Sequence, residues 1–302
     1  MDFNKLSESR VKLQQFSSNR YVVGSKEFLQ SNSIVAKFAF LILILIVFML
    51  LLSLGTFILT RVFSQSHNPI LIKGMIDSRQ MMIIPQDPSK KDAIPIFRSK
   101  NEREGLEFTW SVWIYVDDFT YNEDRFKHIF HKGNDNITRD NKVTYVGVNY
   151  PINGPGLYLT PRIANAKGDL AGLKLIMNSF PDISEEIDIH NLPLNKWVNV
   201  IIRVTKQNQL DVYISGTLVK RLMLKGVPRQ NYGDIYVSMN GGFSGNTSEL
   251  RYFEKAIGTR QIQKIVNKGP NLTFVAGTNM EAKKLKNKYL STQWYLETAR
   301  DI

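Results

Sequence analysis

From Phe108 onward, apolar and polar residues alternate in short runs broken by Gly, Asn and Pro. Alternation with a period of two places successive side chains on opposite faces of a strand. In Phe108-Thr-Trp-Ser-Val-Trp-Ile-Tyr-Val116, one face takes Phe108, Trp110, Val112, Ile114 and Val116, while Trp113 and Tyr115 fall on the other. That second face is therefore expected to be partly covered as well. His128–His131, Lys142–Val148, Gly156–Thr160 and Leu173–Asn178 read as further strands. In Trp197–Thr205 the pattern sends Val198, Val200, Ile202 and Val204 inward, with Asn199 and Arg203 outward. Gln209–Ile214 and Thr217–Leu224 flank Ser215-Gly216, a tight hairpin turn in which Gly supplies a positive φ. Asp234–Met239 and Glu249–Lys255 complete the series. Many short strands with scarcely a helix between them predict an antiparallel sandwich.

Two segments break this rhythm. Phe38–Leu59 is 22 residues without a charge, 17 of them Leu, Ile, Val or Phe. A helix of that length rises about 33 Å, enough for a hydrocarbon core of about 30 Å. Phe38, Leu45, Leu52 and Leu59 mark every second turn of this expected membrane anchor, and Lys37 can snorkel to the headgroups. A cleaved signal peptide is the rival reading, and Ser53 and Gly55 form the small pair that cleavage needs. An apolar region of 7–15 residues near the start is usual for such a peptide; this run is longer and begins later. Basic residues tie across the anchor: Arg20, Lys26 and Lys37 before it, Arg61, Lys73 and Arg79 after. Lys5, Arg10 and Lys12 tip the short tail toward the cytoplasmic side. Near the end, Thr259–Asn267 predicts a short helix with Ile262, Ile265 and Val266 on one side and Gly269-Pro270 as its stop. Met280–Ala299 reads as an amphipathic helix with Leu285, Tyr289 and Leu296 on its stripe.

The expected organisation is a polar tail (1–33), a transmembrane helix (34–60), a stalk with edge strands (61–91), a sandwich (92–270) and a C-terminal amphipathic helix (271–302). The tail is either disordered or a short amphipathic piece. Pro69, Pro85, Pro88 and Pro95 argue against a long helix in the stalk. Ile94–Phe97 is expected to join that region to the base of the sandwich.

Composition narrows the chemistry. The chain has no cysteine, which removes disulfides, thiolate metal sites and cysteine nucleophiles together. Its net charge of +12 is spread along the sequence, and no block resembles a nucleic-acid arm. No specific nucleic-acid partner is expected. Sequons at Asn136, Asn246 and Asn271 matter only in a glycosylating lumen.

Phe108-Thr-Trp-Ser-Val-Trp113, Ile129-Phe-His-Lys-Gly133 and Leu192-Pro-Leu-Asn-Lys-Trp197 resemble, in order and spacing, the laminin-G-like jelly roll. The hairpin Val212-Tyr-Ile-Ser-Gly-Thr-Leu-Val219 and the ending Gly241-Gly-Phe243 to Leu250-Arg-Tyr-Phe253 are similar to that family's closing elements. The resemblance implies the concanavalin A-like lectin and glucanase superfamily: an all-β antiparallel jelly-roll sandwich that often binds glycans or proteins. With its anchor, and with the ending Lys268-Gly-Pro-Asn271, the chain also resembles membrane proteins of large double-stranded DNA viruses. These can sit between an internal virion membrane and a capsid. The expected partners are then a lipid bilayer, neighbouring capsid or coat proteins, and glycans.

The superfamily also includes glycosidases with a motif like Glu-Ile-Asp-Ile-Glu on one strand. Here the run is Glu186-Ile-Asp-Ile-His190. A retaining hydrolase needs two carboxyl groups about 5–5.5 Å apart, and the second position is a histidine, so no catalytic residue is assigned. Relatives often hold calcium at a sheet rim; Asp117, Asp118, Asp135, Asp140 and Asp182 are loop carboxylates of that kind, but no calcium-loop spacing joins them. No cofactor is expected. The four histidines, His67, His128, His131 and His190, lack zinc spacing, and three-residue separation in a strand should point His128 and His131 to opposite faces. Tyr145, Tyr150, Tyr158 and Tyr236 are the candidate aromatics for stacking on a ligand.

Overall fold

The computed structural model describes residues 33–63, 66–99, 101–137, 146–161 and 171–275. They divide into two compact units, the second beginning at Ser66. The tail, Asp140, Tyr145 and the Met280–Ala299 segment lie outside the described residues.

In the first unit a single helix, α1 (Ile34–Phe63), contains the whole uncharged stretch. Phe38, Leu45, Leu52 and Leu59 are all exposed, as is nearly every other apolar residue of the helix. The helix is long and apolar enough to cross a membrane. Its threonine hydroxyls are satisfied internally: Thr56 Oγ1 donates to Ser53 O at 2.9 Å and Thr60 Oγ1 to Thr56 O at 2.7 Å. Such bonding leaves few polar groups for an apolar medium to strand.

The second unit is a sandwich of two antiparallel six-stranded sheets. Its strands are β1 (Met75–Asp77), β2 (Met82–Ile84), β3 (Asn101–Glu102), β4 (Gly105–Leu106), β5 (Phe108–Asp118), β6 (Lys127–Gly133) and β7 (Gly156–Leu159). They continue with β8 (Ala171–Met177), β9 (Glu185–Leu192), β10 (Trp197–Thr205), β11 (Gln209–Ile214), β12 (Thr217–Met223), β13 (Asp234–Val237) and β14 (Ser244–Phe253). One sheet runs β1-β14-β5-β10-β11-β12, the other β2-β13-β6-β7-β8-β9, and β3-β4 is a separate small hairpin. Between the sheets lies one apolar core, to which Phe108, Trp110, Val112, Ile114 and Val116 contribute from β5 and Val198, Val200, Ile202 and Val204 from β10. These are the residues that alternation sends inward.

The outer face of the first sheet is covered too. Helix α2 (Thr259–Lys268) lays Ile262 and Ile265 against Ile201, Tyr213 and Phe253. Trp113 and Trp197 pack with Met75, and Leu272 and Phe274 close over them. Asn199 and Arg203, outward by alternation, are therefore not solvated: Asn199 is buried and Arg203 is held against the Ile257 carbonyl.

Two expectations are adjusted. Residues 70–84 supply edge strands, as expected, but these are built into the sandwich itself: β1 pairs with β14 and β2 with β13, and Leu71 and Ile72 donate to the Leu250 carbonyl. The compact unit thus begins well before residue 92. No strand occupies the described part of Lys142–Val148; residues 146 and 147 form a turn. A short 3-10 turn, Met239–Gly241, leads through Gly242 and Phe243 into the start of β14.

Gly245 shows why that start needs glycine. Its φ is +142°, and a Cβ there would stand 1.8 Å from the Tyr115 carbonyl oxygen. The β5–β14 register shifts between Ser244 and Gly245 at this point. Gly245→Ala is expected to lose about 2–3 kcal/mol in urea unfolding. An unchanged midpoint would mean that the strand can retreat without loss.

Candidate functional site

The sequence-derived aromatics are not brought together as a surface. Tyr158 is fully enclosed: its hydroxyl donates to Asn153 Oδ1 at 2.5 Å and accepts from the Asn149 N–H at 3.2 Å. Burial pushes its hydroxyl well above the ordinary tyrosine pKa. Tyr236 is 8% exposed and lies flat on His131, with ring centroids 5.0 Å apart. Neither offers a face to a ligand. Tyr150, 52% exposed, does.

On β9 the glycosidase-like run alternates as expected, with Ile187 and Ile189 in the core. The polar face is already occupied: Lys174 Nζ bonds Glu186 Oε2 at 2.6 Å and Asp188 Oδ1 at 2.9 Å. Three of the loop carboxylates are likewise engaged one by one. Asp118 accepts from the Thr120 N–H and hydroxyl at 2.8 and 2.7 Å, Asp182 pairs with Lys225 at 2.6 Å, and Asp117 accepts from the Ser244 hydroxyl. Among the described residues no three His, Asp or Glu side chains converge to hold a metal.

His128 and His131 share one face, against expectation. The β6–β7 register slips between His128 and Phe130, and this bulge rotates the strand by the missing half-step. The two rings form a directed chain. Met239 N–H donates to His128 Nδ1 at 3.0 Å, so the His128 proton sits on Nε2. That Nε2–H donates to His131 Nδ1 at 2.6 Å, and His131 Nε2–H donates to Asn134 O at 2.9 Å. Both rings are neutral in this arrangement. Burial holds both below the ordinary histidine range, His131 at about 4.

Among the described residues there is a cleft of about 800 Å³ in the sandwich unit. Phe108, Trp110 and Tyr252 line it from the core side. Phe97, Phe180 and Tyr232 line it too, the last 92% exposed. Arg229 lies over the Phe180 ring at 5.5 Å and donates to the Phe180 carbonyl at 2.7 Å. Asp234 accepts from the Gln86 N–H at 2.8 Å and pairs with Lys90 at 3.5 Å, while Asp87 caps its own turn through Ser89. Lys132 also lines the cleft; its Nζ donates to the Gly233 carbonyl at 2.6 Å, and desolvation lowers its pKa to about 8. A volume of this size, with apolar walls and a few placed polar groups, has the properties of a ligand site. Sequence reasoning did not single these residues out as a site, since they come from strands and loops far apart in the chain. One signal was present: Lys132 stands two residues after Phe130, at a position where alternation calls for an apolar side chain.

No family model and no curated protein matches the chain. Solved structures do. It is similar to the receptor binding domain of botulinum neurotoxin D, with 12% identity, a TM-score of 0.41, and coverage of 67% of this chain and 44% of that one. The serotype D ligand binding domain in complex with N-acetylneuraminic acid aligns at 11% identity and a TM-score of 0.42, covering 67% and 45%. The binding domain of Paraclostridial Mosquitocidal Protein 1 aligns at 14% and 0.41, covering 68% and 46%. The chain thus spans less than half of each of these three chains.

Proposed function

We propose that the chain is a non-enzymatic, single-pass membrane protein whose laminin-G-like sandwich makes structural contacts with neighbouring proteins. The observation that carries this reading is α1, with an uncharged stretch of 22 residues whose apolar side chains are exposed on every side. Water is a poor solvent for such a surface, and a bilayer core is a good one. The tail before the helix stays on the cytoplasmic side. In the finer form of the reading, the protein is a minor virion component tethering an internal membrane to its capsid. The occupied carboxylates on β9 favour contact over bond cleavage, because Lys174 already takes both acids of the hydrolase-like run.

The full-length chain is expected to float with liposomes and to stay in the pellet after alkaline carbonate extraction. Removal of 34–63 should release it. Recovery of the intact chain in a detergent-free, high-speed supernatant would end the proposal. A glycan-binding role is the second reading, favoured by Phe180 and Tyr232, exposed at 65% and 92% beside the cleft. Saturable binding to one sugar class on an array would support it, and silence together with co-purification of coat proteins would support the tether.

A further inference from the structure

Lys132 is the least expected residue of the sandwich. It follows Phe130 on the inward side of β6, and Phe130 packs on Trp110 with ring centroids 5.5 Å apart. Its side chain lines the cleft and is only 6% exposed. An ammonium taken out of water needs an anion or several acceptors. Among the described residues its Nζ has one hydrogen-bond partner, the neutral Gly233 carbonyl. The nearest acid, Asp234, belongs to the neighbouring strand and is already bonded to the Gln86 N–H and Lys90. Three of the ammonium's properties are thus left over: its charge and two donor hydrogens.

The rest of the cleft has the same bias. After internal pairing, Arg98, Lys132 and Arg229 face it against the single carboxylate of Asp87, whose oxygen caps Ser89. The core-side wall, in contrast, is apolar and aromatic, formed by Phe108, Trp110 and Tyr252. A second polar atom is unsatisfied: Gln230 Oε1 is buried without a partner beside the same space.

We propose that this cleft is a binding site for a small organic anion with an apolar body, its carboxylate or phosphate taken by Lys132 and its body by the aromatic wall. The charge of the ligand completes an ion pair that the fold leaves half made. Arg98 and Arg229 draw the anion in, and Gln230 Oε1 accepts a hydrogen bond from any hydroxyl or amide the body carries. This site goes beyond the membrane reading and does not depend on it, since fractionation and ligand binding are read separately.

The test uses the full-length chain in phosphatidylcholine nanodiscs, titrated calorimetrically with phenylacetate, benzyl phosphate, benzyl alcohol and benzylamine, with inorganic phosphate as the body-free control. At least one of the two aromatic anions is expected to bind about tenfold or more tighter than the alcohol, because a charge-assisted bond replaces a neutral one. Which anion wins separates a carboxylate ligand from a phosphate ligand. Lys132→Met should abolish the preference, Lys132→Arg should keep most of it, and both should melt no lower than the wild type within a few degrees. Equal binding of anions and alcohol by the wild type would overturn the proposal. So would an anion preference that survives in Lys132→Met, or in Lys132→Gln if the methionine variant does not fold.

Discussion

Replacement of Asp211 by alanine is expected to lower the stability of the sandwich by about 3–5 kcal/mol. The carboxylate is fully buried and serves three strands at once. Arg203 Nη2 of β10 donates to Oδ2 at 2.7 Å, and Arg221 of β12 donates Nε to Oδ1 at 2.6 Å and Nη2 to Oδ2 at 3.2 Å. Gln209 adds its amide at 3.2 Å to both oxygens. Burial acts to raise the Asp211 pKa, but the bonds from Arg221 and Arg203 outweigh it and hold the acid below the ordinary range.

The loss comes less from the bonds than from what is stranded. Arg203 also lies over the Tyr213 ring at 5.1 Å and donates to the Ile257 carbonyl at 3.2 Å, so it cannot swing out to water without uncovering the seat of α2. Removing one partner of a buried pair leaves the other charge uncompensated. The check is a pair of urea titrations. Asp211→Ala should fall by the stated amount, and Asp211→Ala with Arg203→Met should recover a large part of it. A single variant within 1 kcal/mol of wild type would show that Arg203 finds water after all.

Acid should act on a different part of the molecule, and in a different range. The unfolded chain takes up protons on His128 and His131 near 6.5, whereas the folded chain resists them: His131 protonates at about 4 and His128 lies well below its ordinary value. Desolvation is the main cause at both rings; for His131 the Asn134 carbonyl and Asp135 oppose it without overcoming it. Protons therefore favour unfolding throughout that window. The histidine contribution is complete above pH 6.5 and drains as pH falls toward 4. For His131 alone the interval corresponds to about 3 kcal/mol.

The geometry explains why neither ring can yield. Protonated His128 would carry a hydrogen on Nδ1, against the Met239 N–H at 3.0 Å, and protonated His131 would carry one against His128 Nε2 at 2.6 Å. Each acceptor would become a donor facing a donor. Melting temperature measured from pH 7 to 4 should decline steeply for the wild type and more gently for His131→Gln. Parallel curves would place the acid sensitivity elsewhere, with carboxylates as the obvious source. Asp211, held below the ordinary aspartate value of 3.8, can contribute only at lower pH.

How far the sequence reaches can be judged from particular residues. The inward set of β5 and β10 was legible because alternation is a property of each strand alone, and the hairpin at Ser215-Gly216, with φ of 46° and 87°, because a two-residue turn has few conformations. The same local logic failed at His128 and His131. A bulge depends on the neighbouring strand, and β7 lies more than twenty residues away in the chain, across a loop. It failed again for Tyr158 and Tyr236, whose exposure is set by Asn153 and His131.

By itself the sequence determined the apolar helix, the two-sheet class and most strand positions, since each follows from residue patterns a few positions long. Only the tertiary structure decided where residues 70–84 pair, β1 with β14 and β2 with β13, that Lys174 occupies the acids of β9, and that Lys132 ends in a cleft lined by distant strands and loops. The physical reason is range. Burial on a strand face is decided by nearest neighbours along the chain, but the partner of a charge or a ring is decided by whichever distant segment packs against it.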